Sequence, residues 1–307
     1  MRAAVYEQFG SAEVLEVREV ADPPVGPDSV LVRTKATSIN PVDWKVREGY
    51  LQDFLPHHLP IVPGWDVAGV VEAVGPAVTT GVKVGDEVYG YVRRDDVKHG
   101  TAAELVSAPE RLVTRKPTNL SFEEAAAVPL AAMTAYQSLV EAGRLESGDR
   151  VLVHAAAGGV GHFAVQIAKA FGAYVIGTAS PRNHDYVREL GADEVLDYNA
   201  GPASEQLDEP VDVVVDFVGG EALEDAPKQV KDASRVVSIV DAQTVLGFGG
   251  RYVFVRPDMG TLDALTGLIE AGKVRAEVSE TLPLEKIAEA HRLSEDGHVR
   301  GKVVVTV

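Results

Sequence analysis

An apolar strand, Val151–Ala155, runs directly into Ala156-Ala157-Gly158-Gly159-Val160-Gly161, and a helix follows with apolar residues at Val160, Phe163, Ala164, Ile167, Ala168 and Phe171. Each small residue of this turn has a physical task. Ala156 permits the tight exit from the strand. Gly158 lets the backbone approach a pyrophosphate, with Gly159 and Val160 beside it, and Gly161 lets the helix pack against the strand. The helix N-terminus then aims free N–H groups and the positive end of its dipole at the phosphates. Such a glycine pattern alone is a weak signal; a strand before it and a helix after it supply the confirming context for a dinucleotide site. The alternative is a tight turn that holds no ligand.

The next strand, Tyr174–Thr178, ends at Ala179-Ser180-Pro181-Arg182-Asn183-His184. An NAD site would place a carboxylate here for the ribose 2′-hydroxyl. A hydroxyl, a guanidinium, an amide and an imidazole stand there instead, and a 2′-phosphate needs such donors. The expected cofactor is therefore NADPH, with Ser180, Arg182 and His184 on the 2′-phosphate. Arg182 reads otherwise as a surface charge at a helix start. His154, inside the strand, reads as a satisfied core histidine rather than a general base.

Other chemistries are excluded by what the 307 residues lack. There is no cysteine, which removes disulfides, iron–sulfur clusters, thiolate zinc sites and thiol nucleophiles. No Gly-x-Ser-x-Gly, His-Glu-x-x-His or P-loop pattern occurs. With 29 Lys+Arg against 46 Asp+Glu, the net charge of −17 argues against a nucleic-acid partner. No apolar run approaches the roughly 18 residues of a membrane span, so no membrane partner is expected. The opening Met1–Glu7 reads as a first strand rather than a signal peptide, and the expected compartment is the cytoplasm.

The surrounding elements must position these groups. Residues 1 to about 116 carry short β-branched runs cut by turn signals, the texture of many short antiparallel strands. From Lys116-Pro117 onward, helices begin: Ser121-Phe-Glu-Glu124 is a capping-box pattern, and a second helix starts at Pro129 and ends near Gly143. Between about 150 and 256 apolar strands alternate with helices, which indicates a parallel sheet covered on both faces. The expected strands are Val151–Ala155, Tyr174–Thr178, Glu194–Leu196, Val211–Val218, Arg235–Val240 and Arg251–Val255. Helices are expected near 259–271 and 284–295, and Gly301–Val307 is a terminal strand. The fold class is α/β. A β-rich domain takes residues 1–122 and 273–307, and an inserted domain takes 123–272.

Several segments together resemble the medium-chain dehydrogenase/reductase superfamily, and within it the zinc-independent, zeta-crystallin-like NADPH:quinone oxidoreductases. They are Asn40-Pro-Val-Asp-Trp-Lys45, Pro63-Gly-Trp-Asp-Val-Ala-Gly-Val-Val-Glu-Ala-Val-Gly75, Lys83-Val-Gly-Asp-Glu-Val88, Val128–Tyr136, Ala155–Gly161, Leu190–Tyr198 and Gly301-Lys-Val-Val-Val305. The resemblance implies a GroES-like β-barrel domain built from both termini and an inserted Rossmann, doubly wound parallel-sheet domain, with the active site in the cleft. It also implies an oligomer, with a homodimer expected. Zinc alcohol dehydrogenases of the superfamily hold catalytic zinc with an early Cys, a Gly-His-Glu segment and a later Cys or Asp. Here the early loop reads Pro41, Val42, Asp43, and the second segment reads Gly64-Trp65-Asp66. No metal site is expected, and His57 and His58 read as a surface pair.

The resemblance places the Asn40–Lys45 loop beside the nicotinamide. Asn40 is expected to offer its amide to substrate or cofactor, and Asp43 to orient the loop. Lys45 is expected to face the oxygen on which negative charge develops; it reads equally as a solvated lysine. Tyr50 sits one place from the family's second tyrosine. Thr134, Tyr198, Val218, Val240, Phe254 and Val255 are implied cofactor contacts. Phe248 and Trp65 are candidates for the substrate wall, and Trp65 reads also as core. Quinones suit such a site, because charge spreads onto a conjugated oxygen. Reduction of enones or 2-alkenals is the alternative, and a nucleotide-binding protein without turnover is a third reading.

Overall fold

A computed structural model describes residues 1–307. In chain order the first elements are β1 (Arg2–Val5), β2 (Glu16–Glu19), β3 (Ser29–Ile39), α1 (Pro41–Arg47), β4 (His57–Val62), β5 (Asp66–Val74), β6 (Glu87–Tyr91), β7 (Val97–His99), β8 (Leu105–Pro109), β9 (Val113–Arg115) and α2 (Phe122–Ala126). Then come α3 (Pro129–Tyr136), β10 (Arg150–Val153), α4 (Gly161–Ala170), β11 (Tyr174–Ala179), α5 (His184–Glu189), β12 (Glu194–Asp197), α6 (Ala203–Gln206), β13 (Val213–Asp216), α7 (Gly220–Glu224), α8 (Ala226–Gln229), β14 (Val236–Ser238), α9 (Ala242–Gly247) and β15 (Arg251–Tyr252). The chain closes with α10 (Met259–Glu270), β16 (Val278–Pro283), α11 (Ile287–Glu295) and β17 (Lys302–Thr306).

Two compact units form. The first holds residues 1–130, 257–270 and 276–307; the second holds 131–256 and 271–275. The expected cuts at 122 and 272 therefore fall elsewhere. Helix α2 packs against β3 and β5 of the first unit. Helix α10 also belongs there. The Tyr89 hydroxyl lies 2.7 Å from Thr266 Oγ1, Thr114 Oγ1 donates to Asp263 at 2.7 Å, and Asn119 donates to the Ile269 carbonyl at 2.9 Å.

The first unit is organised around β3, whose eleven residues have neighbours on both sides. The main sheet runs β16-β17-β3-β5-β6-β9, with β8 also on β3. Alternation along β3 buries Val30 and Val32 in a valine-rich core with Val67, Val71, Val88 and Val106. Each such burial contributes roughly 1.5–3 kcal/mol.

The second unit carries an all-parallel sheet in the order β12-β11-β10-β13-β14-β15. Counted from β10, this is the 3-2-1-4-5-6 order of the Rossmann fold. Its strands are shorter than the apolar runs of the sequence, because residues such as Ala155, Val218 and Val240 turn out of the sheet into the loops at its carboxyl ends. Both capping expectations hold. Ser121 Oγ accepts from the Glu124 amide at 3.2 Å while Glu124 accepts from the Ser121 amide at 2.8 Å, and α3 starts at Pro129.

Helix α1 is tied down at its C-terminal end by Arg47, which is fully buried. Its guanidinium donates to the Gly10 carbonyl at 2.9 Å and to His291 Nδ1 at 3.2 Å, and pairs with Glu295 at 2.7 Å. Burial beside this cation pushes the His291 imidazole down to about 3, so it stays neutral and accepts. Breaking a buried pair leaves its partners uncompensated, at a cost on the order of 3 kcal/mol. Arg47→Met should lower the unfolding free energy of the first unit by about that amount in urea. Tryptophan fluorescence reads this directly, since both tryptophans, Trp44 and Trp65, lie in that unit.

Candidate active site

Residues Asn40–Lys45 turn where β3 hands over to α1. Asn40 is extended, with φ −123° and ψ 152°, and Pro41 opens the helix. The Asn40 amide donates to the Asp43 carboxylate at 2.7 Å, and the Asp43 amide donates to the Asn40 carbonyl at 2.9 Å. Strand register then brings two distant residues to this turn. Antiparallel pairing sets Val303 of β17 against Ile39, so Lys302 falls beside Asn40. Pairing of Ala36 with Ala68 carries Ser38 to Asp66, whose carboxylate accepts from the Ser38 hydroxyl at 2.7 Å.

The result is a buried polar cluster. Lys302 donates to the Ile39 carbonyl at 2.9 Å and to Asn40 Oδ1. Asn40 Nδ2 donates to Asp66 Oδ2 at 2.8 Å, and the Leu130 amide donates to Asp66 Oδ1 at 2.8 Å. Asn40 is 1% exposed, with both ends of its amide engaged. It is thus a strut of the turn, not the open donor to substrate that the sequence led us to expect. Asp66 and Lys302, absent from the expected site residues, are the centre of the cluster. The only sequence signals were an acid at the Gly-His-Glu position and a lysine leading an apolar terminal strand.

Two carboxyls and one ammonium share this dry space, so full ionisation would leave it net negative. Burial and the charge of Asp66 push the Asp43 carboxyl up to about 7, against the bond from the Asn40 amide and the pull of Lys302. Burial also raises Asp66, opposed by Lys302 and three hydrogen bonds, and it lowers Lys302, opposed by both aspartates. Asp43 is therefore the group that takes up a proton near neutrality.

Lys45 projects from the same helix. It is half-buried, lies 5.6 Å from the Trp44 ring centroid and forms no ion pair; burial lowers its ammonium from the ordinary lysine range. The Tyr50 ring stands edge-on to Trp44 at 6.2 Å and is exposed. Trp65 is buried against Tyr91, so its place is in the core and not in an open wall. Phe248 likewise packs on the core of the second unit, beside Val236 and Val245.

In the second unit the glycine-rich turn leaves β10 and leads into α4. Ala155 takes the left-handed conformation, φ 53°, and the Gly158 amide donates to its carbonyl at 2.9 Å. A Cβ at Gly161 would lie 2.1 Å from that carbonyl oxygen, so only glycine lets α4 approach the turn. At the head of α4 the His162 amide donates to the Gly158 carbonyl at 3.1 Å and the Phe163 and Ala164 amides donate to the Val160 carbonyl at 3.1 and 3.0 Å, so the amides that suit an anion are those of Gly159, Val160 and Gly161. At the end of β11, Ser180 precedes a short turn without capping it through its side chain, Arg182 is exposed and without an ion pair, and His184 bonds the Ala179 carbonyl at 3.2 Å. Val218, Val240 and Phe254 expose apolar surface after their strands, and Tyr198 is open after β12. Thr134 and Val255 are buried. Asp216, a further residue the sequence did not single out, holds the Val218 and Gly219 amides at 3.1 and 3.0 Å and accepts from the Ser238 hydroxyl at 2.7 Å. It thereby fixes the loops that present Val218 and Val240.

Because Asp43 binds its proton more tightly folded than unfolded, its contribution to stability is full below the ordinary carboxyl range and is lost as pH rises toward 7. Asp43→Asn keeps an acceptor for the Asn40 amide and removes the charge. In thermal unfolding between pH 5 and pH 8 the variant should gain on the parent protein as pH increases; parallel curves would contradict the shift.

With this geometry in hand, known proteins place the chain. A family profile described as an alcohol dehydrogenase GroES-like domain matches residues 26–118, and one described as a zinc-binding dehydrogenase matches 190–305. A 2-methylene-furan-3-one reductase of Solanum lycopersicum is 41% identical over 99% of this chain and 79% of its own length. A chloroplastic NADPH-dependent alkenal/one oxidoreductase of Arabidopsis thaliana is 38% identical over the same shares. The solved quinone oxidoreductase of Coxiella burnetii superposes with a TM-score of 0.92 at 34% identity, covering 100% of this chain and 99% of its own. The zinc of the second profile's description does not fit these residues. There is no thiol, Trp65 stands at the histidine position, both Asp66 oxygens accept buried hydrogen bonds, and no three His, Asp or Glu side chains converge. The chain is an oxidoreductase of the medium-chain dehydrogenase/reductase family, in its quinone oxidoreductase branch.

Proposed function

We propose that the protein reduces a quinone with NADPH and without a metal. The observation that carries this reading is the pairing of a glycine-cradled phosphate turn with a β11 end that offers donors and no acid. The residues fit the dinucleotide: the turn 156–161 takes the pyrophosphate, Ser180, Arg182 and His184 take the 2′-phosphate, and Thr134, Tyr198, Val218, Val240, Phe254 and Val255 line the rest. When bound, NADPH supplies hydride from its nicotinamide ring. The chain supplies positive charge. Lys45, partly desolvated and unpaired, faces the oxygen on which negative charge builds up and donates a hydrogen bond or a proton there. Asn40 and Asp43 hold the helical turn that carries Lys45, and Tyr50 flanks it.

A second reading, reduction of the conjugated double bond of an enone or 2-alkenal, is favoured by the names of the two plant relatives. Both reactions place charge on a conjugated oxygen and use the same lysine. A homodimer, in keeping with the oligomer the resemblance implies, and a cytoplasmic compartment complete the proposal; no helix is long and apolar enough to cross a membrane.

Steady-state NADPH oxidation with a small quinone, set against a 2-alkenal, distinguishes the two acceptors. Lys45→Met should lower kcat at least about tenfold, the scale of one charge-assisted hydrogen bond in the transition state. Full turnover in that variant would remove Lys45 from the reaction. Arg182→Ala should weaken NADPH about tenfold and leave NADH unchanged. NADH binding as tightly as NADPH to the parent protein would refute the cofactor assignment.

A further inference from the structure

Beneath the phosphate turn lies a line of buried polar groups that hydride transfer does not use. It starts at Ala155, a residue with a Cβ held at φ 53°, where only glycine is at ease. The Ala155 amide donates to Thr178 Oγ1 at 3.2 Å, and the Ala156 amide donates to the Thr178 carbonyl at 3.0 Å. Thr178 Oγ1 lies 3.4 Å from His154 Nδ1, and His154 Nε2 lies 2.8 Å from Gln229 Oε1. Gln229 Nε2 donates to Asp225 at 2.9 Å, and Asp225 also accepts from the Ser204 hydroxyl at 2.8 Å. Thr178, His154 and Gln229 are all buried.

Donor and acceptor chemistry gives this line one direction. Asp225 only accepts, so the Gln229 amide nitrogen faces it and the Gln229 oxygen faces His154. His154 then carries its hydrogen on Nε2, which leaves Nδ1 to accept from the Thr178 hydroxyl. The Thr178 oxygen, its own hydrogen committed, accepts from the Ala155 amide. Burial disfavours the imidazolium, in keeping with the neutral ring this direction requires.

We propose that His154 and Thr178 are positioning residues of the coenzyme site. Through them the α8 end of the second unit holds Ala155 in its left-handed turn, and with it the amides of Gly159, Val160 and Gly161 that receive a dinucleotide pyrophosphate. This rests on the reading of that turn as the NADPH site.

The test is equilibrium NADPH binding together with the KM and kcat for NADPH, using a small quinone as acceptor. Thr178→Val keeps the side-chain volume and removes the hydroxyl, Thr178→Ser restores the hydroxyl, and His154→Leu removes both ring nitrogens. Thr178→Val and His154→Leu should each raise the Kd and KM for NADPH about tenfold with kcat changed less than about threefold, and Thr178→Ser should return both to within about threefold of the parent. A purely structural role would lower the melting temperature and leave the Kd in place. Kd values within about twofold of the parent in folded Thr178→Val and His154→Leu would overturn the inference. Should His154→Leu fail to fold, the near-isosteric Thr178→Val carries the test. A parent protein that itself fails to bind NADPH would overturn the proposed function and this inference together; a binding parent with indifferent variants overturns this inference alone.

Discussion

The ammonium of Lys302, held out of water between Asn40 and the aspartates, is the interaction on which the Asn40–Lys45 turn depends. Asp43 and Asp66 are both buried, and two carboxyls in one dry space repel unless a cation or a proton answers them. Lys302 supplies the cation, and Asp43 accepts the proton near neutrality. Arg47 plays the complementary part at the other end of α1, where Glu295 and His291 receive it. A helix of seven residues is too short to be stable alone, so its orientation comes from these two buried cations. Lys45 lies between them and inherits a fixed base.

The second unit solves a different problem with small residues. A phosphate turn usually opens with glycine, and here the first position is Ala156. The extra methyl is accommodated on the neighbouring strand. A Cβ at Gly177 would come within 2.8 Å of the Ala156 Cβ, so the space lost at one position is recovered at the other. Gly161 and Ala155 make the second exchange, a bare Cα against a strained carbonyl. The turn is thus shaped by residues on β10, β11 and α4 together, and the amides it leaves free are an outcome of packing.

Much of this was legible in the sequence, because local rules govern it. The glycine-rich turn out of β10, the Ser121–Glu124 cap, the start of α3 at Pro129 and the alternation of strands and helices each depend on residues a few positions apart. The Lys302–Asn40–Asp66 cluster was not legible, because it is made by the register of β17 on β3, which joins residues 262 apart, and of β3 on β5, which joins residues 26 apart. The same reason hid the allegiance of α10. Its apolar stripe announces a buried face, but only hydrogen bonds from Tyr89, Thr114 and Asn119 show which unit covers it. The partners of Asn40 were hidden in the same way, since an amide looks equally able to meet a substrate or a neighbouring strand until both of its ends are seen to be taken.

The pairing of β17 with β3 also orders events on the ribosome. Synthesis runs from β1 onward, and the edge of β3 at Ala36–Ile39 has no neighbour until Lys302–Thr306 emerges. By then all six strands of the inserted sheet have been translated, and that unit is free to fold first. The nascent first unit meanwhile carries two aspartates without their cation. Strand β17, translated after the whole inserted unit, closes that open edge and brings the acids their cation in one step.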